Sequence, residues 1–129
     1  MNDPDIVADA SAVLAALKRE RFDKVDPLRL VRSGISAVNL CEVLTKLAAD
    51  GLTQEQAEAA VSVLDLRVFP FERRLAGVAA ELWRVTRRAG LSLGDRACLA
   101  LGAQLECAVV TADRAWADLD IGVEVLLLR

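Results

Sequence analysis

Residues 6–11 read IVADAS, and this stretch indicates how the rest of the chain is built. Three apolar residues are followed by Asp9, and a helical pattern begins at Ser11. A short buried strand that leads directly into a helix is typical of α/β proteins, in which helices connect the strands of a parallel sheet. We therefore take residues 6–8 as the first strand of such a sheet.

The same alternation continues outward from this stretch. We predict further strands at 35–36, 66–69, 108–111 and 123–128, and helices at 11–19, 37–49, 53–64, 71–89 and 92–105. The segment 21–32 reads as a charged, partly helical connection, and Thr53 and Gln56 have capping-box spacing. This order predicts a parallel sheet with helices on both faces, in a single domain spanning residues 1–129.

Composition excludes several kinds of chemistry. The chain has 129 residues, of which 54% are hydrophobic, and 16 basic and 19 acidic residues give a net charge of -3. This balance argues against a nucleic-acid binder that works by bulk charge, although a local basic patch is compatible with it. The sequence has no histidine, which removes the histidine-based triads and histidine metal ligands. A metal would therefore be held by oxygen or by cysteine.

The cysteines and the N-terminus bear on the compartment. Cys41, Cys98 and Cys107 are odd in number, widely spaced and set in apolar stretches, so we expect buried free thiols in a reducing compartment. Residues 1–5 are acidic and are not followed by an apolar region of signal type. No apolar run approaches the roughly 20 residues that span a membrane. We expect a cytoplasmic protein.

Four acids are predicted to meet at the carboxyl edge of the sheet, where functional groups of parallel sheets collect. Asp9 and Asp113 follow the first and fourth strands. Glu42 lies in the early turns of the helix that leaves the second strand. Asp95 lies in the first turn of the helix that runs toward the start of the fourth strand. Four separate segments thus deliver carboxylates to one rim.

Each acid also has an ordinary structural role open to it. Asp9 could cap the first helix, Asp113 could cap a short turn, Asp95 has capping-box spacing with Ser92, and Glu42 could pair with Lys46. Capping does not require convergence, however. Converging carboxylates repel one another unless a divalent cation lies between them, and oxygen ligands favour Mg²⁺ or Mn²⁺ over zinc. Such a site can activate water and stabilise charge on a phosphodiester.

The resemblance to a known family rests on four segments in order. They read VADASA at 7–12, ISAVNLCEV at 35–43, LSLGDRA at 91–97 and VTADR at 110–114. In these segments and their spacing, the chain resembles the PIN-domain family, and specifically the VapC-type toxins of bacterial toxin–antitoxin pairs.

This resemblance implies an α/β fold, a three-layer α/β/α sandwich with a five-stranded parallel sheet in the order 3-2-1-4-5. It implies an Mg²⁺- or Mn²⁺-dependent endoribonuclease acting on RNA, a homodimer and a cognate antitoxin. The family's catalytic and metal-binding acids fall on Asp9, Glu42, Asp95 and Asp113, and its supporting hydroxyl groups on Ser11 and Thr111. Many members carry a further acid after the fourth-strand motif, and neither Asp118 nor Asp120 aligns with it clearly.

Two arginines are candidates for substrate binding. Arg96 and Arg114 each follow a site acid, so they could meet a phosphate or could pair with the acids instead. The arginines of the helix at 71–89 could also bind phosphates, although a solvated face with Glu72 and Glu81 as partners is the simpler interpretation. Trp83 and Trp116 could stack on bases, although core or dimer packing is the simpler expectation for Trp83, and the role of Trp116 stays open.

Two other functions compete with a nuclease. A non-catalytic PIN-fold module could bind RNA or protein, although acids at all four positions argue against it. A phosphotransfer domain would need paired acids near the first strand, or a nucleophilic Asp with a nearby Lys. The first strand is followed by Asp9-Ala10-Ser11, and the only lysines are Lys18, Lys24 and Lys46, so this alternative is disfavoured.

Overall fold

The five strands form one parallel sheet. In the computed structural model of the protein, residues 3–129 are described, so the part of the N-terminal prediction that concerns Met1 and Asn2 lies outside the described residues. The strands are β1 (Ile6–Ala8), β2 (Gly34–Ser36), β3 (Arg67–Phe69), β4 (Ala108–Thr111) and β5 (Val125–Leu127). Their order is 3-2-1-4-5, and Val7 in the central strand lies opposite Gly34 of β2 and Val109 of β4. The predicted topology is confirmed.

Five helices connect these strands. They are α1 (Ala10–Leu17), α2 (Ala37–Ala49), α3 (Gln54–Ser62), α4 (Arg73–Thr86) and α5 (Leu93–Leu105). Short 3₁₀ turns lie at Pro27–Leu30, Arg87–Ala89 and Arg114–Asp118. α4 begins two residues later than predicted because the Glu72 carboxylate caps it, accepting hydrogen bonds from the backbone N–H groups of Arg74 and Leu75. It also ends earlier, because its last turn tightens to 3₁₀ before Gly90, which has φ +71°.

Alternate strand residues pack on the two faces of the sheet and so produce three layers. Ile6 and Ala8 contact the apolar cluster built with α1, α2 and α3, whereas Val7 belongs to the cluster built with α4 and α5. Residues 97–102 of α5 are all buried, as its apolar sequence predicts. The sandwich architecture is therefore confirmed.

The predictions about single side chains are confirmed only in part. Trp83 is 48% exposed and so lies outside the core, while its packing in a dimer stays a prediction, and Trp116 is fully buried. Cys41 is exposed, Cys107 is partly buried, and only Cys98 fits the expected buried thiol, although all three are free. Neighbouring residues on one amphipathic helix can face solvent or core, which composition alone does not show. Within residues 3–129, no helix is long and apolar enough to cross a membrane.

Substituting Gly102 is expected to destabilise the fold because α5 packs closely on β4 there. A Cβ at this position would lie 2.5 Å from Cγ1 of Val109 and 3.3 Å from the backbone oxygen of Cys107. Gly102→Ala should therefore lower the free energy of unfolding by about 1–3 kcal/mol. Gly77→Ala is the matched control, since a Cβ there meets nothing within 4 Å, and should raise it by up to about 1 kcal/mol. Urea denaturation of both variants checks the contrast, and equal stabilities would contradict it.

Candidate functional site

Asp9 is fixed by two hydroxyl groups at the carboxyl end of β1. Its Oδ2 accepts hydrogen bonds from Oγ of Ser11 at 2.6 Å and from Oγ1 of Thr111 at 2.9 Å. Although Asp9 is the residue that precedes α1, its side chain does not cap that helix. The capping alternative is therefore wrong for Asp9, and the carboxylate is held across the two central strands instead.

The environment of Asp9 opposes its negative charge. The side chain is only 6% exposed. Burial raises the pKa of the Asp9 carboxyl above its ordinary value, and the charges of Asp95 and Glu42 raise this pKa further. The hydrogen bonds from Ser11 and Thr111 act in the opposite direction. A cation next to Asp9 would offset both the burial and the repulsion.

Glu42 is positioned by a buried asparagine. Nδ2 of Asn39 donates to Oε1 of Glu42 at 2.8 Å and to the backbone oxygen of Gly94 at 2.9 Å. Asn39 is fully buried. No ion pair joins Glu42 to Lys46 in the described part of the chain, and the simple surface-pair interpretation of Glu42 is wrong.

Gly94 lets α5 approach this carboxylate. A Cβ at Gly94 would overlap Oε1 of Glu42 and would lie 2.7 Å from its Oε2. Any side chain here would displace Glu42. The roles of Asn39 and Gly94 were missed by the sequence reasoning, although Asn39 lies one helical turn before Glu42 and Gly94 directly precedes Asp95.

Asp95 and Asp113 both serve as caps. Oδ2 of Asp95 accepts from the backbone N–H of Ser92 at 2.9 Å, and Oγ of Ser92 accepts from the N–H of Asp95, which completes the expected capping box. Oδ1 of Asp113 accepts from the N–H of Ala115 at 3.0 Å and caps the 3₁₀ turn. The N–H of Asp113 donates to Oγ1 of Thr111, which also bonds Asp9. Hydroxyl groups thus link the ends of β1 and β4.

The four acids share one hydrogen-bonding pattern. In each, a protein donor holds one carboxylate oxygen, and the other accepts no hydrogen bond from residues 3–129. The oxygens without a donor are Oδ1 of Asp9, Oε2 of Glu42, Oδ1 of Asp95 and Oδ2 of Asp113. A carboxylate held in this way is oriented and still has an oxygen available for a ligand.

Three of the acids form an inner group. The charges of Asp95 and Glu42 both raise the pKa of Asp9. Burial is the main cause that raises the pKa of the Cys98 thiol well above its ordinary value, and the charges of the three acids raise it further. Asp113, whose N–H bonds Thr111, is exposed at the margin of this group, and Asp118 and Asp120 are exposed too. Within residues 3–129 no three such side chains lie close enough to hold a metal ion as they stand.

The two candidate substrate arginines differ. Nη1 of Arg96 donates to the backbone oxygen of Ala79 in α4 at 2.9 Å, and its buried Nε has no partner within the described residues. Arg96 therefore ties α5 to α4 and forms no ion pair with the acids. Arg114 is exposed beside Asp113, and among residues 3–129 no side chain pairs with it.

A family model described as the PIN domain matches residues 6–122. No curated protein sequence matches the chain significantly.

Solved structures of similar fold include toxin–antitoxin proteins. A chain of VapBC2 from Rickettsia felis, bound to a promoter DNA fragment, aligns with a TM-score of 0.73 and 15% identity over 96% of this chain and 98% of that one. DNA-bound VapBC from Salmonella typhimurium gives 0.69 and 21% over the whole of both chains. VapC20 from Mycobacterium tuberculosis, described as a toxin that cleaves the sarcin–ricin loop, gives 0.66 and 18% over 92% and 98%. At these sequence identities the similarity shows a shared fold only.

Proposed function

Since this chain belongs to the PIN-domain family, we propose that it is a metal-dependent endoribonuclease that cleaves RNA phosphodiester bonds. The observation that carries the proposal is the set of four acids at one sheet edge, each with one oxygen held by the protein and the other without a donor. A purely structural cap such as Asp26 can show the same hydrogen-bonding pattern, but structural carboxylates would not need to share one sheet edge.

The donor set fits Mg²⁺ or Mn²⁺. All the available ligands are carboxylate oxygens, the chain has no histidine, and the nearby Cys98 thiol is buried and kept neutral. Asp9, Glu42 and Asp95 would hold the cation, and Asp113 would complete the set from the margin. The bound cation would supply activation of water and stabilisation of charge on the phosphodiester.

The chain's own residues orient the site. Ser11 and Thr111 fix the Asp9 carboxylate, and Asn39 fixes Glu42, so neither acid must reorganise fully when its ligand binds. Asp113 or Glu42 could orient the attacking water with its oxygen that accepts no hydrogen bond. Arg114 lies beside Asp113 and could contact a substrate phosphate.

Cleavage of structured RNAs in Mg²⁺, Mn²⁺ or EDTA tests the proposal. We expect cutting only with a divalent cation, and a loss of at least about 100-fold in Asp95→Asn. The Asn side chain can still accept the hydrogen bond from Ser92, so the α5 cap survives the substitution. Asp26→Asn is the matched control, and this variant should cleave RNA as the wild type does. Asp26 also accepts a capping hydrogen bond, at the 3₁₀ turn Pro27–Leu30, but it lies before the amino end of β2.

Two results would overturn or redirect the proposal. Cutting that persists in EDTA or in Asp95→Asn would exclude the metal-dependent mechanism. If no RNA is cut and calorimetry detects no Mn²⁺ binding, the protein is instead a PIN-fold binding module, in which the acids serve as caps.

We further propose that the protein acts as a homodimer and is inhibited by an antitoxin. The antitoxin is supported by the VapBC structures of similar fold from Rickettsia felis and Salmonella typhimurium, since VapBC is a family of toxin–antitoxin systems. Sedimentation should show a dimer at micromolar concentration. A monomer under these conditions would contradict the dimer, and the antitoxin would be supported by a co-purifying small protein that blocks cleavage.

A further inference from the structure

The C-terminal half of α4 and the 3₁₀ turn that follows it carry an aromatic and basic surface that the acid site does not use. We define the Trp83 patch as Trp83, Arg84, Arg87 and Arg88, all of which are exposed. Leu75, Ala79 and Thr86 form the buried side of the same helix. The guanidinium carbon of Arg87 lies 5.4 Å from the centroid of the Trp83 ring, so the indole is held in place although it is 48% exposed.

The Trp83 patch lies close to the acid site. Only three residues separate Arg88 from Ser92, which forms the capping box with Asp95. The hydrogen bond from Arg96 to the backbone oxygen of Ala79 fastens α4 to the first turn of α5, the turn that carries Asp95. The short connection and this bond keep the patch and the site at one end of α5.

The charges of the patch favour an anionic partner. It carries three arginines in a chain with a net charge of -3. Arg84 has a partner in Glu81, with 3.3 Å between Nε and Oε2, but both side chains are 72% exposed and the pair is easily replaced. Arg88 has no ionic partner within the described residues. A second copy packed on this face about a two-fold axis would bring its own arginines against these ones.

The exposed indole ring of Trp83 distinguishes between the possible anionic partners. Tryptophan exposed beside arginines is suited to stacking on unpaired bases, while the guanidinium groups contact the flanking phosphates. An acidic protein segment would satisfy the arginines but would leave the ring without a planar partner.

We propose that the Trp83 patch binds a single-stranded segment of RNA next to the acid site. Trp83 stacks on an unpaired base, and Arg84, Arg87 and Arg88 contact its phosphates. The inference rests on the proposed function for the identity of the ligand as RNA. It also assigns the substrate grip to α4 rather than to Arg96, whose guanidinium is engaged with Ala79.

RNA binding measured in EDTA tests this inference without cleavage. Fluorescence anisotropy with a mixed-sequence single strand of about 12 nucleotides gives the dissociation constant. We expect Trp83→Ala to raise it about 5- to 100-fold and Trp83→Phe to restore most of the affinity. Because Trp116 is buried, quenching of protein fluorescence by RNA should come mainly from Trp83 and should disappear in Trp83→Phe.

The arginines are tested by salt dependence. The double variant Arg87→Gln/Arg88→Gln should reduce the slope of log affinity against log salt by about 0.7 for each phosphate that the variant no longer neutralises. The matched control is Arg29→Gln/Arg32→Gln, which removes the same charge from exposed positions in a cleft with Pro4, Ile6 and Ser33, at the opposite edge of the sheet. The control should bind almost as the wild type does.

Each other outcome overturns the inference. If RNA affinity is the same in Trp83→Ala and in the wild type, the patch does not bind the base. If Trp83→Ala disrupts a dimer but keeps its affinity, the patch is an interface between copies. Equal losses in the two double-arginine variants would indicate bulk charge. If the wild type cleaves RNA and the patch variants bind RNA normally, the inference about the patch is wrong and the proposed function stands. If the wild type neither binds nor cleaves RNA, both the inference and the proposed function are contradicted.

Discussion

Asp9→Asn is expected to abolish RNA cleavage and at the same time to stabilise the protein. Asn retains an oxygen that can accept the hydrogen bonds from Ser11 and Thr111, so the geometry between β1 and β4 is preserved. It removes the negative charge that a cation needs. Cleavage should fall by at least about 100-fold.

The gain in stability follows from the buried charge. A carboxyl whose folded-state pKa is raised binds protons more tightly when folded, so the fold loses stability as pH rises from the unfolded pKa through the folded one. At pH values above the folded-state pKa, the ionised Asp9, buried and next to Asp95 and Glu42, therefore destabilises the fold. Without metal, Asp9→Asn should be more stable by about 0.5–2 kcal/mol, a common size for stabilising substitutions at functional sites.

Thermal unfolding with EDTA and with Mn²⁺ checks both parts. In EDTA the melting temperature of Asp9→Asn should exceed that of the wild type. Mn²⁺ should raise the melting temperature of the wild type, because a ligand that binds only the folded state stabilises it, and should have little effect on the variant. Asp5→Asn, at the opposite end of β1, is the control and should respond to Mn²⁺ as the wild type does. Loss of stability in Asp9→Asn would mean that the carboxylate is structural.

Gly94→Ala is expected to lose cleavage while keeping the fold. The new Cβ would overlap the carboxylate of Glu42, whose oxygens would lie within 2.7 Å of it. This carboxylate is the end of a flexible side chain, so it can move aside at little cost, and Ala is favoured over Gly in a helix by about 1 kcal/mol. Stability should therefore change little, whereas cation affinity and cleavage should fall at least about 10-fold.

A double-mutant cycle tests whether Gly94 acts through Glu42. Glu42→Ala removes the carboxylate that the new methyl group would displace. The double variant Gly94→Ala/Glu42→Ala should then cleave no worse than Glu42→Ala alone. Additive losses would show that Gly94 matters for another reason, such as its backbone contact with Asn39.

The sequence predicted the positions that depend on chain order. Asp9 and Asp113 follow strands, and Asp95 opens a helix beside Ser92, so the edge at which they lie follows from connectivity. Side-chain contacts that depend on the three-dimensional arrangement could not be predicted from the sequence. Asn39 turns inward because Glu42 and Gly94 offer it two acceptors, and Asp9 bonds Thr111 from another strand rather than its own helix.

The tryptophans show the same limit. Trp83 and Trp116 both lie in mixed apolar and charged surroundings in the sequence. Trp83 faces outward because Leu75, Ala79 and Thr86 already occupy the inner side of α4, whereas Trp116 fills the core beneath the 3₁₀ turn. Which tryptophan is buried depends on how its segment packs against the rest of the fold. This packing cannot be predicted from the sequence of either segment alone.

The hydrogen bond between Thr111 and Asp9 also bears on protein synthesis. The two residues are 102 positions apart, yet they meet at the centre of the sheet. A ribosome makes the chain from the N-terminus, so Asp9, Glu42 and Asp95 all exist before β4 can pair with β1. A nascent chain therefore lacks the completed pocket until most of it has been translated. If the chain is the proposed nuclease, a segment of it that ends before β4 should be unable to cut RNA.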